Sequence, residues 1–309
     1  MHASKVGKAI MKSWLTRRFG LWPWTVALLA VGLILAACQE APRAPVLRFT
    51  AIRDDNTAEL RRKFEPLADY LAERLDVPVE YVPSADYGAS VEMFKNGDVQ
   101  LAWFGGLTGA QARAAVSGAL AIAQGEEDQA YYSYFVANAS TGIERSESFP
   151  TEIAKRSFSF GSASSTSGRL MPEYYLRRET GKSPRDFFEQ GFSFSGSHAQ
   201  TLALVAAGTV EVGVVNYRTY LAKVASGDID PERVRVIWQT PTYADYNFTV
   251  RPDLVAEFGP GFLEKLRAAL LNLEDPGILE ALQRSRLVAA SNAEYHDLEV
   301  VARSLDLLR

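Results

Sequence analysis

A repeated change of hydrophobic period constrains this chain more than any single motif does. Val46–Ile52, Val77–Val82, Val99–Phe104 and Leu120–Gln124 are short apolar runs of strand length. Between them, Ala58–Leu75, Ala85–Asn96 and Leu107–Val116 carry helical spacing. In the first of these helices, Leu60, Phe64, Leu67, Leu71 and Leu75 fall on one face. Strands separated by single helices predict an α/β fold with a parallel sheet. In such sheets ligands gather at the carboxyl ends of the strands. That rule places Asp54, Asp55, Phe104, Gly105 and Gly106 on one rim.

The pattern then repeats. Tyr131–Asn138 is a long strand rich in Tyr, Phe and Val, suited to carrying the chain from one lobe to another. Strands at Phe158–Phe160, Phe192–Ser195, Val212–Val215 and Val234–Gln239 follow, with helices at Leu170–Glu179, Ala199–Ala207 and Tyr217–Ala225. Thr240-Pro241 breaks the last strand and gives a return crossing, after which Phe248–Val250 resumes strand pattern. Three helical stretches, near 254–273, 276–284 and 292–307, close the chain. The expected organisation is a first lobe from 46–137 plus 243–309 and a second lobe, 138–242, inserted into it. The ligand cleft lies between the lobes.

The N-terminus reads as an address. Residues 1–37 hold five basic residues and no acid, then an apolar run ending Leu35-Ala36-Ala37-Cys38. Basic region, apolar region and small residues before a cut describe a secretory signal. The apolar run is shorter than the roughly 20 residues of a spanning helix. Leu-Ala-Ala-Cys resembles a bacterial lipobox, which makes Cys38 the expected lipidated residue, anchored to a membrane on the periplasmic side. Residues 38–45 then form a polar, Pro-containing tether. Cys38 is the only cysteine, so the remainder has no disulfide and no thiol chemistry. Past residue 37 the chain has 28 basic and 37 acidic residues, a net of −9 that disfavours nucleic acid. Residues 38–309 suffice for two α/β lobes.

Gly161–Pro172, Gly-Ser-Ala-Ser-Ser-Thr-Ser-Gly-Arg-Leu-Met-Pro, follows a strand and opens a helix. The first N–H groups of a helix have no partner inside it and form an anion site. Ser165, Thr166 and Ser167 add three hydroxyls. From this stretch alone, a helix cap on a flexible Ser-rich loop is an equal reading. A P-loop is excluded by the absence of Gly-Lys-Ser/Thr, and a hydrolase elbow by the absence of Gly-x-Ser-x-Gly.

Taken together, the residues resemble the phosphate/phosphite/phosphonate group of periplasmic binding proteins that serve ABC importers. The resemblance runs from about Leu47 to the C-terminal helices. It rests on Ala85-Asp86-Tyr87-Gly88-Ala89, on Val99-Gln100-Leu101-Ala102-Trp103-Phe104-Gly105, on Ser165-Thr166-Ser167-Gly168, and on Gly196-Ser197-His198 before an Ala-rich helix. It implies a two-lobed type II fold, a small tetrahedral oxyanion as ligand, and an ABC permease and ATPase as partners. It also implies roles. Ser165, Thr166 and Ser167 hold the oxyanion, Tyr87 lines the first-lobe wall, Tyr131 stands at the crossing, and His198 binds the anion from a helix start. Phe104 joins this set from the strand-end rim.

Two carboxylate positions of the family are altered. One falls at Asn216, where no acid stands, and the other in the return crossing, where Asp245 is kept at a shifted spacing. An acid-poor cleft suits sulfate or selenate. A cleft reached by Asp245, Asp54 or Asp55 suits phosphate, phosphite or a phosphonate. The sequence leaves both open, and it also reads Asp54 and Asp55 as loop-solvating residues. No catalytic constellation is present: His2, His198 and His296 are scattered, and no metal-ligand cluster or cofactor motif occurs. The expectation is a monomeric binding protein and not an enzyme; the alternative is a periplasmic anion-sensing domain with a signalling partner.

Overall fold

The computed structural model describes residues 44–308. The expected signal at 1–37 and lipidated Cys38 lie outside the described residues. Strands β1 (Leu47–Ala51), β2 (Val79–Tyr81), β3 (Leu101–Phe104) and β4 (Leu120–Gly125) alternate with helices α1 (Thr57–Leu75), α2 (Tyr87–Asn96) and α3 (Gly106–Ala115). Local chemistry sets these bounds. The Asn56 side chain accepts the Glu59 N–H at the start of α1, and Asp86 accepts the Ala89 N–H at the start of α2. Helix α1 buries Leu60, Phe64, Leu67, Ala68, Leu71 and Leu75, the face that the period of the sequence selects. Phe64 stacks on Tyr81 at 5.2 Å and meets Phe49 edge-on at 6.1 Å. Truncating Phe64 to alanine costs about 3–5 kcal/mol.

The second run comprises β5 (Ser133–Asn138), β6 (Phe158–Phe160), α4 (Met171–Thr180), β7 (Phe192–Phe194), α5 (His198–Ala207), β8 (Val212–Asn216), α6 (Tyr217–Ala225) and β9 (Val234–Gln239). The chain then returns through β10 (Asn247–Val250), α7 (Phe262–Leu271), α8 (Pro276–Leu282), β11 (Leu287–Ala289) and α9 (His296–Ser304).

Two sheets result. One has the order β11-β4-β10-β3-β1-β2, the other β7-β6-β8-β5-β9. Both are mixed where the alternation predicts parallel strands. β1 is parallel to β2 and β3, and β6 to β7 and β8. The strands next to the crossings break the rule: β10 runs antiparallel between β3 and β4, and β5 antiparallel between β8 and β9. A strand that enters a sheet from another sheet needs no helical crossover, so nothing forces it to be parallel. β11 is not anticipated by the sequence reading, which carries the helix on to Arg284; three residues are too few for a period to register. The long helical stretch near 254–273 is split at Gly259 and Gly261, both at positive φ. Among the described residues no helix is long and apolar enough to cross a membrane.

Candidate functional site

The Ser-rich loop is built as an ordered turn. After β6, the Gly161 N–H donates to the Gly168 carbonyl at 2.8 Å. Ser165 Oγ accepts the Gly168 N–H at 2.9 Å, and the Leu170 N–H reaches back to the Ser165 carbonyl at 3.0 Å. That five-residue spacing makes Thr166–Leu170 a π turn leading into α4. A wide first turn spreads the N–H groups at the helix start. Ser165, Thr166 and Ser167 are all buried, and Ser165 caps the turn, as the helix-cap reading has it.

Two other strand ends bring partners to this turn. His198 opens α5 and is buried; its Nδ1 accepts the Asn216 N–H at 3.3 Å. A neutral ring that accepts at Nδ1 carries its proton on Nε2. That nitrogen lies 3.5 Å from Ser167 Oγ. Burial holds His198 down at about 4, opposed only by the Asp54 charge, so near neutral pH it is an uncharged donor.

Opposite the turn stands the return crossing. Asp245 is buried, its Oδ1 accepting the Gly106 N–H at 2.9 Å. Thr166 Oγ1 accepts the next helix N–H, that of Leu107, at 3.0 Å. The turn of the second sheet and the crossing thus meet at the start of α3. Space at Gly106 is tight: a Cβ would lie 2.6 Å from Leu298 Cδ1 and 3.1 Å from the Ala244 carbonyl. Burial pushes the Asp245 carboxyl up to about 7; the Gly106 N–H and the Thr166 hydroxyl pull the other way. Asp245 Oδ2 and the Tyr87 hydroxyl are buried without a hydrogen-bond partner. An acceptor and a donor, both without a protein partner, can form hydrogen bonds with a polar ligand.

The structure therefore brings together Tyr87, Ser165, Thr166, Ser167, His198 and Asp245. It treats three other predicted residues differently. Phe104 is in the core, edge-on to Phe94 at 5.5 Å; only its place before Gly105 touches the site. Tyr131 is buried against Tyr217 and Tyr246 at 4.8 and 5.4 Å, and its backbone pairs with Tyr243. Asn216 has both ends engaged: Oδ1 accepts the Thr219 N–H at 2.6 Å and Nδ2 donates to the Tyr246 hydroxyl at 3.0 Å.

Sequence reasoning missed the residues around them. The Tyr246 hydroxyl donates to Asp54 Oδ2 at 3.1 Å, and Asp54 is buried where loop solvation was expected. Tyr243 and Ser133 share a hydrogen bond at 2.5 Å, and Ser133 Oγ donates to the Ser167 carbonyl at 2.8 Å. Asp54 follows β1, and its place at a strand end is the signal that sets it on the rim in the sequence; its hydrogen bond to Tyr246 has no such signal. Among the described residues no cluster of His, Cys, Asp or Glu could hold a metal ion.

Two mixed sheets linked by two crossings match the fold of the two-lobed type II periplasmic binding proteins. A family profile described as "ABC transporter, phosphonate, periplasmic substrate-binding protein" matches residues 49–295, and the chain belongs to this family. Members bind ligands for import and are not enzymes. The chain is 34% identical to a probable ABC transporter phosphite binding protein, PhnD1, of Prochlorococcus marinus, over 85% of this chain and 91% of the relative. A phosphate-import protein, PhnD, of Mycolicibacterium smegmatis is 26% identical over 82% of this chain and 84% of its own length. The solved structure of the Prochlorococcus protein in complex with methylphosphonate superposes with a TM-score of 0.80 at 33% identity, covering 85% of this chain and 99% of that one.

Proposed function

We propose that this protein captures a small tetrahedral phosphorus oxyanion that shares one proton with Asp245, and presents it to an ABC permease and its ATPase. Phosphate, phosphite and a short alkylphosphonate fit that description. The observation that carries the reading is the Asp245 carboxyl, buried, with one oxygen unpartnered and its proton affinity raised to about 7. The relatives' names, phosphite binding and phosphate import, agree with it. Ser165, Thr166, Ser167, Tyr87 and the Nε2 proton of His198 are the donors to the other oxygens.

The alternative ligands of the sequence reading, sulfate and selenate, carry no proton near neutral pH. A charged Asp245 would repel them by about 4 kcal/mol at 4 Å in an effective dielectric near 20. Only the protonated carboxyl could hold them. Titration calorimetry with phosphate, phosphite, methylphosphonate, sulfate and selenate from pH 5 to 9 tests this. Phosphate, which keeps an O–H through this range, is expected to stay bound as pH rises past 7. Equal or tighter sulfate binding at pH 8 would overturn the reading.

The organisation proposed with it has residues 46–137 plus 243–309 as one lobe and 138–242 as the other, closing on the ligand at the two crossings. We further propose that residues 1–37 are removed, that Cys38 carries the lipid, and that 38–45 tether a monomeric domain in the periplasm. Mass spectrometry of the mature N-terminus checks the lipid; a free, unmodified Cys38 would refute it.

A further inference from the structure

A buried charge pair joins Arg284 to Asp128, and Arg284 lines a small cavity with Asp54, Tyr131, Asn216 and Tyr246. Arg284 follows α8, and its Nε and Nη2 donate to the two oxygens of Asp128 at 2.6 Å each. Its Nη1 donates to the Leu282 and Gln283 carbonyls at 3.0 and 3.1 Å. The guanidinium stands 5.5, 5.5 and 5.1 Å from the rings of Trp103, Tyr131 and Tyr246. The fold makes concessions to place it. Gln283, just before it, sits at φ 58, a conformation that disfavours a side chain. Gly125 must be glycine, because a Cβ would lie 2.2 Å from Arg284 Cδ.

This pair grips both crossings. Asp128 precedes β5, and its backbone carbonyl accepts the Asp245 N–H at 3.0 Å. Tyr131 and Tyr243 exchange two backbone hydrogen bonds of 2.8 Å, and Tyr246 packs on the guanidinium. Residues on either side of Asp245, and Asp245 itself, are thus fastened to the Asp128–Tyr131 segment. We propose that Arg284 and Asp128 form the positioning pair of the anion site, fixing the crossing that carries Asp245 so that its carboxyl meets the bound oxyanion. The proposal rests on the assignment of Asp245 to the oxyanion.

The groups facing Asp245 make the pair's electrostatic effect readable. They are Gly106 N–H, the Thr166 and Ser167 hydroxyls, Asp128, and the rings of Tyr87, Tyr131, Tyr243, Tyr246 and Tyr295. Burial raises all five tyrosines, so they are neutral, and Asp128 with its partner Arg284 supplies the charge. Asp128 pushes the Asp245 carboxyl upward. In Asp128→Asn that push is lost and Arg284 remains cationic.

The test is an infrared titration of isotope-labelled aspartate in the ligand-free protein, with the Asp245 band identified by its loss in Asp245→Asn. Asp128→Asn is expected to move the Asp245 midpoint to lower pH. Arg284→Lys keeps the charge but cannot bridge both carboxylate oxygens. It is expected to leave the midpoint in place while phosphite binding weakens roughly tenfold. A brace for stability alone would lower melting temperature in both variants and leave phosphite affinity in Arg284→Lys at the wild-type value. An unmoved midpoint in folded Asp128→Asn would overturn the proposal. If Asp128→Asn does not fold, wild-type phosphite affinity in Arg284→Lys overturns it. Absence of phosphite, phosphate and methylphosphonate binding by the wild type would sink the functional reading instead, and leave the titration informative.

Discussion

Asp128 and Asp245 are two buried carboxylates joined by one backbone hydrogen bond, with relative exposures of 0% and 1%. Asp128 faces a guanidinium that matches both of its oxygens. Asp245 accepts one backbone N–H on one oxygen and has no hydrogen-bond partner on the other, with the Thr166 and Ser167 hydroxyls facing it. A buried carboxylate with a full set of partners is a structural part, and removing either partner leaves a costly unpaired charge. A buried carboxyl with an unfilled oxygen is a cost the fold carries for something outside itself. On the proposed reading, the same residue type in the same dry region serves two purposes, and the partner set separates them.

Substitutions at the two sites should pull stability in opposite directions. Asp128→Asn strands Arg284 and is expected to destabilise by about 3–5 kcal/mol in urea or thermal unfolding. Asp245→Asn should instead stabilise the ligand-free protein. The Asp245 carboxyl binds its proton more tightly folded than unfolded, so its contribution is complete below the unfolded value of 3.8 and is lost as pH rises through about 7. Above pH 7 the gain in Asp245→Asn is up to about 4 kcal/mol, and it fades toward acid. A loss of stability there would end the comparison.

Proton linkage sharpens it further. His198 works with the opposite sign: its folded value of about 4 lies below 6.5, so its contribution is present above 6.5 and lost as pH falls through about 4. Between pH 4 and 6.5 the two slopes oppose each other. Asp245→Asn should reveal stability that climbs with pH across that window, and His198→Gln stability that declines. Identical pH profiles in wild type and both variants would contradict the burial of these groups.

Ligand effects are smaller. Asp245→Asn is expected to weaken phosphate roughly 10- to 100-fold at pH 7, as a hydrogen bond to a charged group is lost. It should spare sulfate, which has no proton to share. Tyr87→Phe removes one donor and should weaken phosphite by about 0.5–1.5 kcal/mol, with folding little changed since its hydroxyl has no partner in the protein.

The sequence announces some of this and hides the rest for physical reasons. Local signals are plain: the period of α1, the Asn56 and Asp86 caps, and the Ser-Thr-Ser turn all act within a few residues. The same holds for His198, which sits at a helix start beside its own cap, Ser197. Asp245 was placed by family resemblance, because nothing in Thr242-Tyr243-Ala244-Asp245-Tyr246 says which side chain turns inward. The pairing of Asp128 with Arg284 spans 156 residues, and no spacing rule reaches that far. Phe104 ends a strand at the rim, and its ring packs in the core against Phe94. Asn216 bonds Tyr246 and the Thr219 N–H with one contact at each end, and it lines a small cavity with Asp54 and Tyr131.

Thr166 belongs to two assemblies at once. Its hydroxyl lies in the turn assigned to the oxyanion, and it also holds the Leu107 N–H at the head of α3. Any parting of the two sheets at this point must break that bond between distant parts of one polypeptide. On the proposed reading, the time for which a captured molecule is held depends partly on how often the protein lets go of itself. A change at Thr166 would alter residence time as well as grip, and release to a membrane partner would begin with the chain before it reached the cargo.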